Sequence, residues 1–214
     1  WSMPDEREKF SLQEMQAEFD IERVSLGGPI FDVEKLRWLN GVWIREELDE
    51  QALVKRLVDW ALNEEMLLKV LPHVQQRMET LSALAPLASF LVSGQLALSD
   101  ADFEALKGEP EEHVKNLQFA LWRLEQLQDW QRDAIWDTLK QLADARDMKI
   151  KDFLAPLFIA VSGSSASFSV VDAMAILGPD MSRARLRDAI TVLGGVSKKA
   201  MKRLEKEYQT YRES

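Results

Sequence analysis

The stretch SLGGPIFDVEKLRWLNGVWIR, residues 25–45, contains the local signals that recur along the whole chain. Gly27-Gly28-Pro29 forces a turn, because two residues without a Cβ precede one whose φ is fixed. Asp32 follows with a carboxylate that can accept a hydrogen bond from a free amide at a helix start. Val33, Leu36 and Leu39 then fall on one helical face. Asn40-Gly41 reads as a stop, since both residues tolerate the left-handed conformation that ends helices. The segment therefore predicts a turn followed by a short, capped, amphipathic helix.

The same pattern extends in both directions. Upstream, Ser11-Leu12-Gln13-Glu14 fits a capping box, and residues 21–25 read as extended or irregular. Downstream, Asp49 opens a helix with Leu53, Leu57, Val58 and Ala61 at helical spacing. The next helix is interrupted near Pro72, resumes through Val74, Met78, Leu81 and Leu84, and breaks at Pro86. Ser99-Asp100-Ala101-Asp102 starts a short helix. Gly108-Glu109-Pro110 marks a boundary before a long one carrying Val114, Leu117, Leu121, Leu124 and Leu127. Asp129 is expected to cap another, with Ala134, Ile135, Thr138, Leu139 and Leu142 inside. Residues 148–151 read as a linker, after which Phe153, Leu157 and Val161 form an apolar stripe. A polar loop follows over residues 162–167. A helix from about Val170 ends at Gly178. The last two helices follow Ser182 and Ser197, separated by Gly194-Gly195. With no repeat and no strand pattern, the expected fold is all-α, a multi-helix array.

Composition narrows the function classes. With 214 residues the chain can bury a sizeable core. It has no cysteine, which excludes disulfides and thiolate metal sites and suits a reducing, cytoplasmic setting. No apolar run approaches the ~20 residues that cross a bilayer, and the first residues lack the basic start and apolar centre of a signal peptide. No membrane partner is expected. The start at Trp1 reads as that of a piece cut from a longer protein. Net charge is -9, which opposes generic polyanion binding. The charge is uneven, however: residues 1–145 hold 15 Lys+Arg against 28 Asp+Glu, and residues 146–214 hold 12 against 8. A nucleic-acid footprint would be local and mainly C-terminal.

Catalytic chemistry is not evident. The two histidines, His73 and His113, lie in separate helices without zinc-type spacing and read as surface or packing residues. No metal ligand set emerges. Gly27-Gly28 and Gly194-Gly195 read as turn formers, not as a phosphate cradle. The acidic pairs Glu46-Glu47, Glu64-Glu65 and Glu111-Glu112 are assigned to helix starts, where the macrodipole favours them. The strongest physical candidate is the segment 182–206, with Arg183, Arg185, Arg187, Lys198, Lys199, Lys202, Arg203 and Lys206 against Asp188 and Glu205. Such cations suit phosphate contacts, which fix position without reading sequence. The alternative is a solvated helix laced by Lys202–Glu205 or Arg203–Glu207 pairs. Of the seven tryptophans, Trp38, Trp60, Trp122 and Trp136 sit at helical spacing among aliphatic neighbours and read as core.

Five segments then carry a resemblance. FDIERVSLGG (19–28), IFDVEKLRWLNGVWIR (30–45), QRMETL (76–81), APLFIAVSGS (155–164) and AILG (175–178) occur in the order and spacing of bacterial glutamyl-tRNA synthetases. The chain resembles the C-terminal half of that family. The resemblance implies a stem-contact region over residues 1–48 and two helical anticodon-binding subdomains over 49–147 and 148–214. It implies a monomer that binds tRNA(Glu), with ATP, magnesium and the catalytic residues in an upstream class I domain and no cofactor here. Arg77 matches an arginine that helps select the third anticodon base. A guanidinium, rigid and rich in donors, suits the acceptor atoms of an unstacked pyrimidine. Phe158 stands where many members have an arginine that touches the anticodon. That arginine's role is therefore absent here, becomes stacking, or passes to Lys149 or Lys151. Ser162, Ser164 and Ser167 are expected near the bases. Arg37, Arg45, Lys149, Lys151, Arg183, Arg185, Arg187, Lys198, Lys199, Lys202 and Arg203 are expected along the tRNA backbone. Two other readings stay open on the residues alone: a helical protein-interaction module that binds no RNA, and a small helical enzyme.

Overall fold

The computed structural model describes residues 1–28, 31–164 and 168–212. Among these residues every regular element is a helix, as the all-α expectation requires. The chain divides into two compact units, Trp1–Asn63 and Glu64–Ser214. The seam expected at residues 48/49 falls inside the first unit, and the one expected at 147/148 falls inside the second. Pro29 of the expected turn lies outside the described residues, as do residues 165–167 of the polar loop.

The first unit holds α1 (Leu12–Glu18), α2 (Val33–Glu46) and α3 (Glu50–Ala61). All three helices start where a side chain can cap them. The Glu14 amide donates to the Ser11 hydroxyl at 3.2 Å, and the Ser11 amide donates to the Glu14 carboxylate at 2.7 Å. That backbone donor holds the Glu14 carboxyl below its usual range. Asp32 accepts from the Lys35 amide at 3.0 Å and Asp49 from the Ala52 amide at 2.7 Å. The expected stop at Asn40-Gly41 does not occur, and α2 runs through it to Glu46. A glycine inside a helix costs about 1 kcal/mol against alanine. Here its missing side chain is used: a Cβ on Gly41 would lie 2.8 Å from Nη1 of Arg45, one turn on. Extending α2 also moves Glu46-Glu47 to its C-terminal end, where the dipole disfavours them, and Lys9 pairs with both carboxylates. Among the described residues of this unit, only Met3 and Val42 are buried apolar residues. Trp38 and Trp60, read as core, are 52% and 60% exposed. Their spacing assigns them to helix faces, but among its described residues the unit has no second layer to cover them.

The second unit holds α4 (Glu64–Val74), α5 (Leu84–Ala88), α6 (Pro110–Gln126), α7 (Arg132–Ala145), α8 (Ile150–Ser162), α9 (Val170–Leu177), α10 (Pro179–Val192) and α11 (Lys198–Arg212). Its core is built on α6 and α8. Leu117, Phe119, Ala120 and Leu124 of the first, and Phe153, Leu157, Ala160 and Val161 of the second, are buried. Helix α6 packs against α7, α8 and α10, and α8 packs against α9 and α10. Pro110 opens α6 at a position whose amide has no helical partner anyway. Helix α7 starts at Arg132 with Gln131 as its cap, not at Asp129. The intervening Trp130 is held by its indole N–H, which donates to the Met174 carbonyl at 2.9 Å. Gly163 ends α8 in the left-handed conformation (φ 71°), its amide donating to the Ile159 carbonyl at 2.8 Å. Helix α11 lies on α6 through Leu204, Tyr208 and Tyr211. Tyr208 meets the rings of Trp122 and Phe119, with centroids at 5.1 and 5.3 Å.

Candidate nucleic-acid interface

The basic segment 182–206 spans two helices that treat charge differently. On α10 Arg185 leaves in a different direction from Arg183 and Arg187, because residues two apart on a helix point to nearly opposite faces while residues four apart share one. Arg183 reaches the end of α6. Its Nε and Nη2 donate to the Leu124 carbonyl at 3.2 and 2.6 Å, and its guanidinium lies 5.2 Å from the Trp130 ring centroid. Arg187 pairs with Glu125 at 2.5 Å near the same helix end. Arg185 points into the core and is 1% exposed. Its fork donates to the carbonyls of Phe90 (2.6 Å), Gly94 (2.8 Å from Nε) and Val161. Burial without a neighbouring carboxylate pulls its pKa down to about 10. Arg185 as a tRNA-backbone contact is therefore corrected: a fully enclosed guanidinium cannot meet a phosphate. Arg183 spends most of its donors on α6, and Arg187 alone of the three stays exposed, in an ion pair.

On α11, Lys198, Lys199, Lys202, Arg203 and Lys206 are all exposed, and none forms an ion pair with a described residue. The intrahelical pairs Lys202–Glu205 and Arg203–Glu207 do not form; Glu207 is bound instead by Lys115 of α6 at 3.1 Å. The first turn of α11 contains no acidic residue. Lys198 and Lys199 therefore stand at the positive end of the helix dipole, where cations are disfavoured. Intrinsic helix stability does not account for them.

The other candidates are scattered. Arg77 is exposed at the end of a 3-10 turn, Gln75–Arg77, that follows α4. Beside it a cavity of about 540 Å³ is lined by Leu71, Gln75, Met78, Glu79, Thr80 and Leu81, the last 89% exposed. Lys149, which caps α8, and Lys151 are exposed. Phe158 is half-buried against the core, so only part of its ring can meet a ligand. Ser162 is buried, and its hydroxyl lies 2.8 Å from the Phe158 carbonyl, to which it donates. That hydroxyl is thus engaged within the fold, while Ser164 is exposed. Ser167 lies outside the described residues. In the first unit, Arg37 pairs with Glu34 at 2.9 Å and Arg45 covers Gly41; both remain exposed.

Both histidines are packing residues. The His73 ring stacks on Phe168 at 5.1 Å, with Asp172 4.0 Å from its Nδ1 and 3.4 Å from Nε of Arg132. His113 is 5% exposed, its Nδ1 has no hydrogen-bond partner among the described residues, and burial lowers its pKa. The internal role of the α10 arginines had one sequence signal. Ser182, Arg185, Leu186 and Ala189 share an inward face at helical spacing, and all four are buried.

The fold defines an all-helical module whose last helix carries five exposed cations without an ion pair to a described residue. The chain belongs to the anticodon-binding-domain family, whose model matches residues 52–190. It is 61% identical over 208 residues to the glutamate–tRNA ligase of Saccharophagus degradans, covering 97% of this chain and 41% of that protein. The glutamate–tRNA ligase of Cellvibrio japonicus is 60% identical over 206 residues, again with 41% of its length covered. The chain thus spans about two fifths of the curated relatives it matches. The crystal structure of a glutamate tRNA ligase from Elizabethkingia meningosepticum aligns with TM-score 0.57 at 23% identity, over 90% of this chain and 39% of that one, a likeness of fold.

Proposed function

We propose that this chain is the anticodon-arm recognition part of a glutamate–tRNA ligase. The reading rests on the 61% identity that extends over 97% of the chain. Its partner is tRNA(Glu), its setting the cytoplasm, and it acts as a monomer. Glutamylation, with its ATP and magnesium, belongs to sequence beyond these residues. The exposed cations of α11 suit the phosphate backbone, because they hold no ion pairs with described residues that binding would have to break. Arg77, beside a cavity whose wall is part apolar through Leu71, Met78 and Leu81, suits a base splayed out of the loop. Base reading then falls to side chains such as Arg77, and α11 supplies affinity that is blind to sequence.

The test is a titration of the chain with glutamate tRNA and a non-cognate tRNA at two salt concentrations. Cognate preference and weaker binding at higher salt are expected, since bound cations release counterions. No complex with either tRNA in dilute buffer, from a folded chain, would leave a protein-interaction module as the remaining account. Arg77→Ala should lower affinity for cognate tRNA by about 1–3 kcal/mol, the range of one direct base contact. It should leave a third-base variant little changed, and an equal loss on both would refute base reading.

A further inference from the structure

One side chain grips the exit of α8 together with two segments packed beside it. On the outgoing side, the Val161 carbonyl lies in the last turn of α8, where helical donors run out, and it accepts from Nη1 of Arg185. On the returning side, Phe168 packs on Phe90 with ring centroids 5.5 Å apart, and the Phe90 carbonyl accepts from Nη2 of Arg185. The Gly94 carbonyl accepts a third hydrogen bond, from Nε at 2.8 Å. Just beyond it, the Leu96 side chain would lie 3.6 Å from a Cβ on Gly163, so the segment after Gly94 borders the α8 exit directly. Among the described residues no carboxylate bonds to Arg185. Its charge is balanced by carbonyl dipoles, including the negative end of α8.

We propose that Arg185 is a positioning residue for RNA binding: by tying the Val161, Phe90 and Gly94 carbonyls to one guanidinium it fixes the α8 exit, and with it Phe158 and Ser164, in the form that meets the anticodon loop. The proposal rests on the reading of this chain as a tRNA-binding part. Arg185 touches no RNA itself. It acts by sparing the exit the entropy of being ordered when the RNA arrives. A lysine at this position has a single ammonium and cannot span three carbonyls at once.

The test compares Arg185→Lys and Arg185→Gln with the unaltered chain at a temperature where all are folded by circular dichroism. Affinity for glutamate tRNA is measured at several salt concentrations, and amide hydrogen exchange is read at Gly163 and Ser164. Arg185→Lys is expected to bind about tenfold more weakly, the equivalent of one hydrogen bond to a charged group, and Arg185→Gln more weakly still. The salt slope should stay that of the unaltered chain, and exchange at Gly163 should speed up. Folded variants that bind as the unaltered chain does would overturn the proposal. So would a flattened salt slope, which would make Arg185 a phosphate contact. If Arg185→Gln does not fold, Arg185→Lys decides; if neither folds, Arg185 serves global stability alone and the proposal falls. If the unaltered chain binds no tRNA, the RNA reading itself fails, and faster exchange at Gly163 would then show the clamp as structural only.

Discussion

Helix α10 directs its arginines inward and to neighbouring helix ends, whereas α11 leaves its cations in solvent. In sequence both look like parts of one basic patch. In the structure, Arg183 and Arg185 bind the carbonyls of other segments, and Arg187 meets Glu125. The cations of α11 contribute little to the packing of the unit, which that helix makes through Leu204, Tyr208 and Tyr211. A positive charge satisfied by buried carbonyls is a stability element. One placed in solvent at the wrong end of a helix dipole costs a little, and that cost is offset only when an anion binds. The difference separates the scaffold from the candidate RNA-facing strip.

Substitutions on the two helices sharpen this contrast, and they rank by burial. Arg185→Met should be the most severe. It strands three carbonyls that are otherwise bonded, at about 1–3 kcal/mol each, so a loss of about 3 kcal/mol or more is expected in denaturant melts. Arg183→Ala should cost about 1–2 kcal/mol, from the Leu124 carbonyl bonds and the stack on Trp130. Arg187→Ala, at an exposed pair, should cost about 0.5 kcal/mol or less. The triple change Lys198→Gln, Lys199→Gln, Lys202→Gln should leave stability within about 0.5 kcal/mol, or raise it slightly, because it relieves the helix start. A destabilisation as large as that of Arg183→Ala would break the comparison.

A separate prediction concerns pH. Burial lowers the His113 pKa below its ordinary 6.5, so the folded chain binds this proton less readily than the unfolded one. Its contribution to stability is complete above the unfolded value and is lost as pH falls through the folded one. Thermal melts should fall in midpoint below about pH 6.5, and His113→Leu should flatten that decline. An unchanged slope would place the acid sensitivity elsewhere.

The helix inventory was legible because its signals are local. The Ser11 box, Asp32 and Asp49 each cap the helix that they predict, since capping depends on residues three apart. What failed depended on contacts that the local pattern does not show. Asn40-Gly41 reads as a stop until Arg45 is seen lying over the glycine. Trp38 and Trp60 read as core from spacing that cannot say whether a second layer exists. Arg185 reads as a surface cation because its acceptors lie 24, 91 and 95 residues away. Charge clustering in sequence shows where cations are, not whether buried carbonyls have already claimed them. Arg77 and the α11 lysines, by contrast, stand exposed as surface candidates must.

The salt dependence of tRNA binding tests the central claim most directly. The unaltered chain, an α11 variant with Lys198, Lys199 and Lys202 changed to glutamine, and an α10 variant with Arg187 changed to glutamine should each be titrated with glutamate tRNA across a series of salt concentrations. The α11 variant is predicted to bind more weakly, with the log–log slope shallower by about 2, close to 0.7 for each phosphate that is no longer neutralised. The Arg187 variant is predicted to keep nearly the full slope. An α11 variant with the slope of the unaltered chain, or an Arg187 variant with the larger loss, would contradict the division of labour between the two helices.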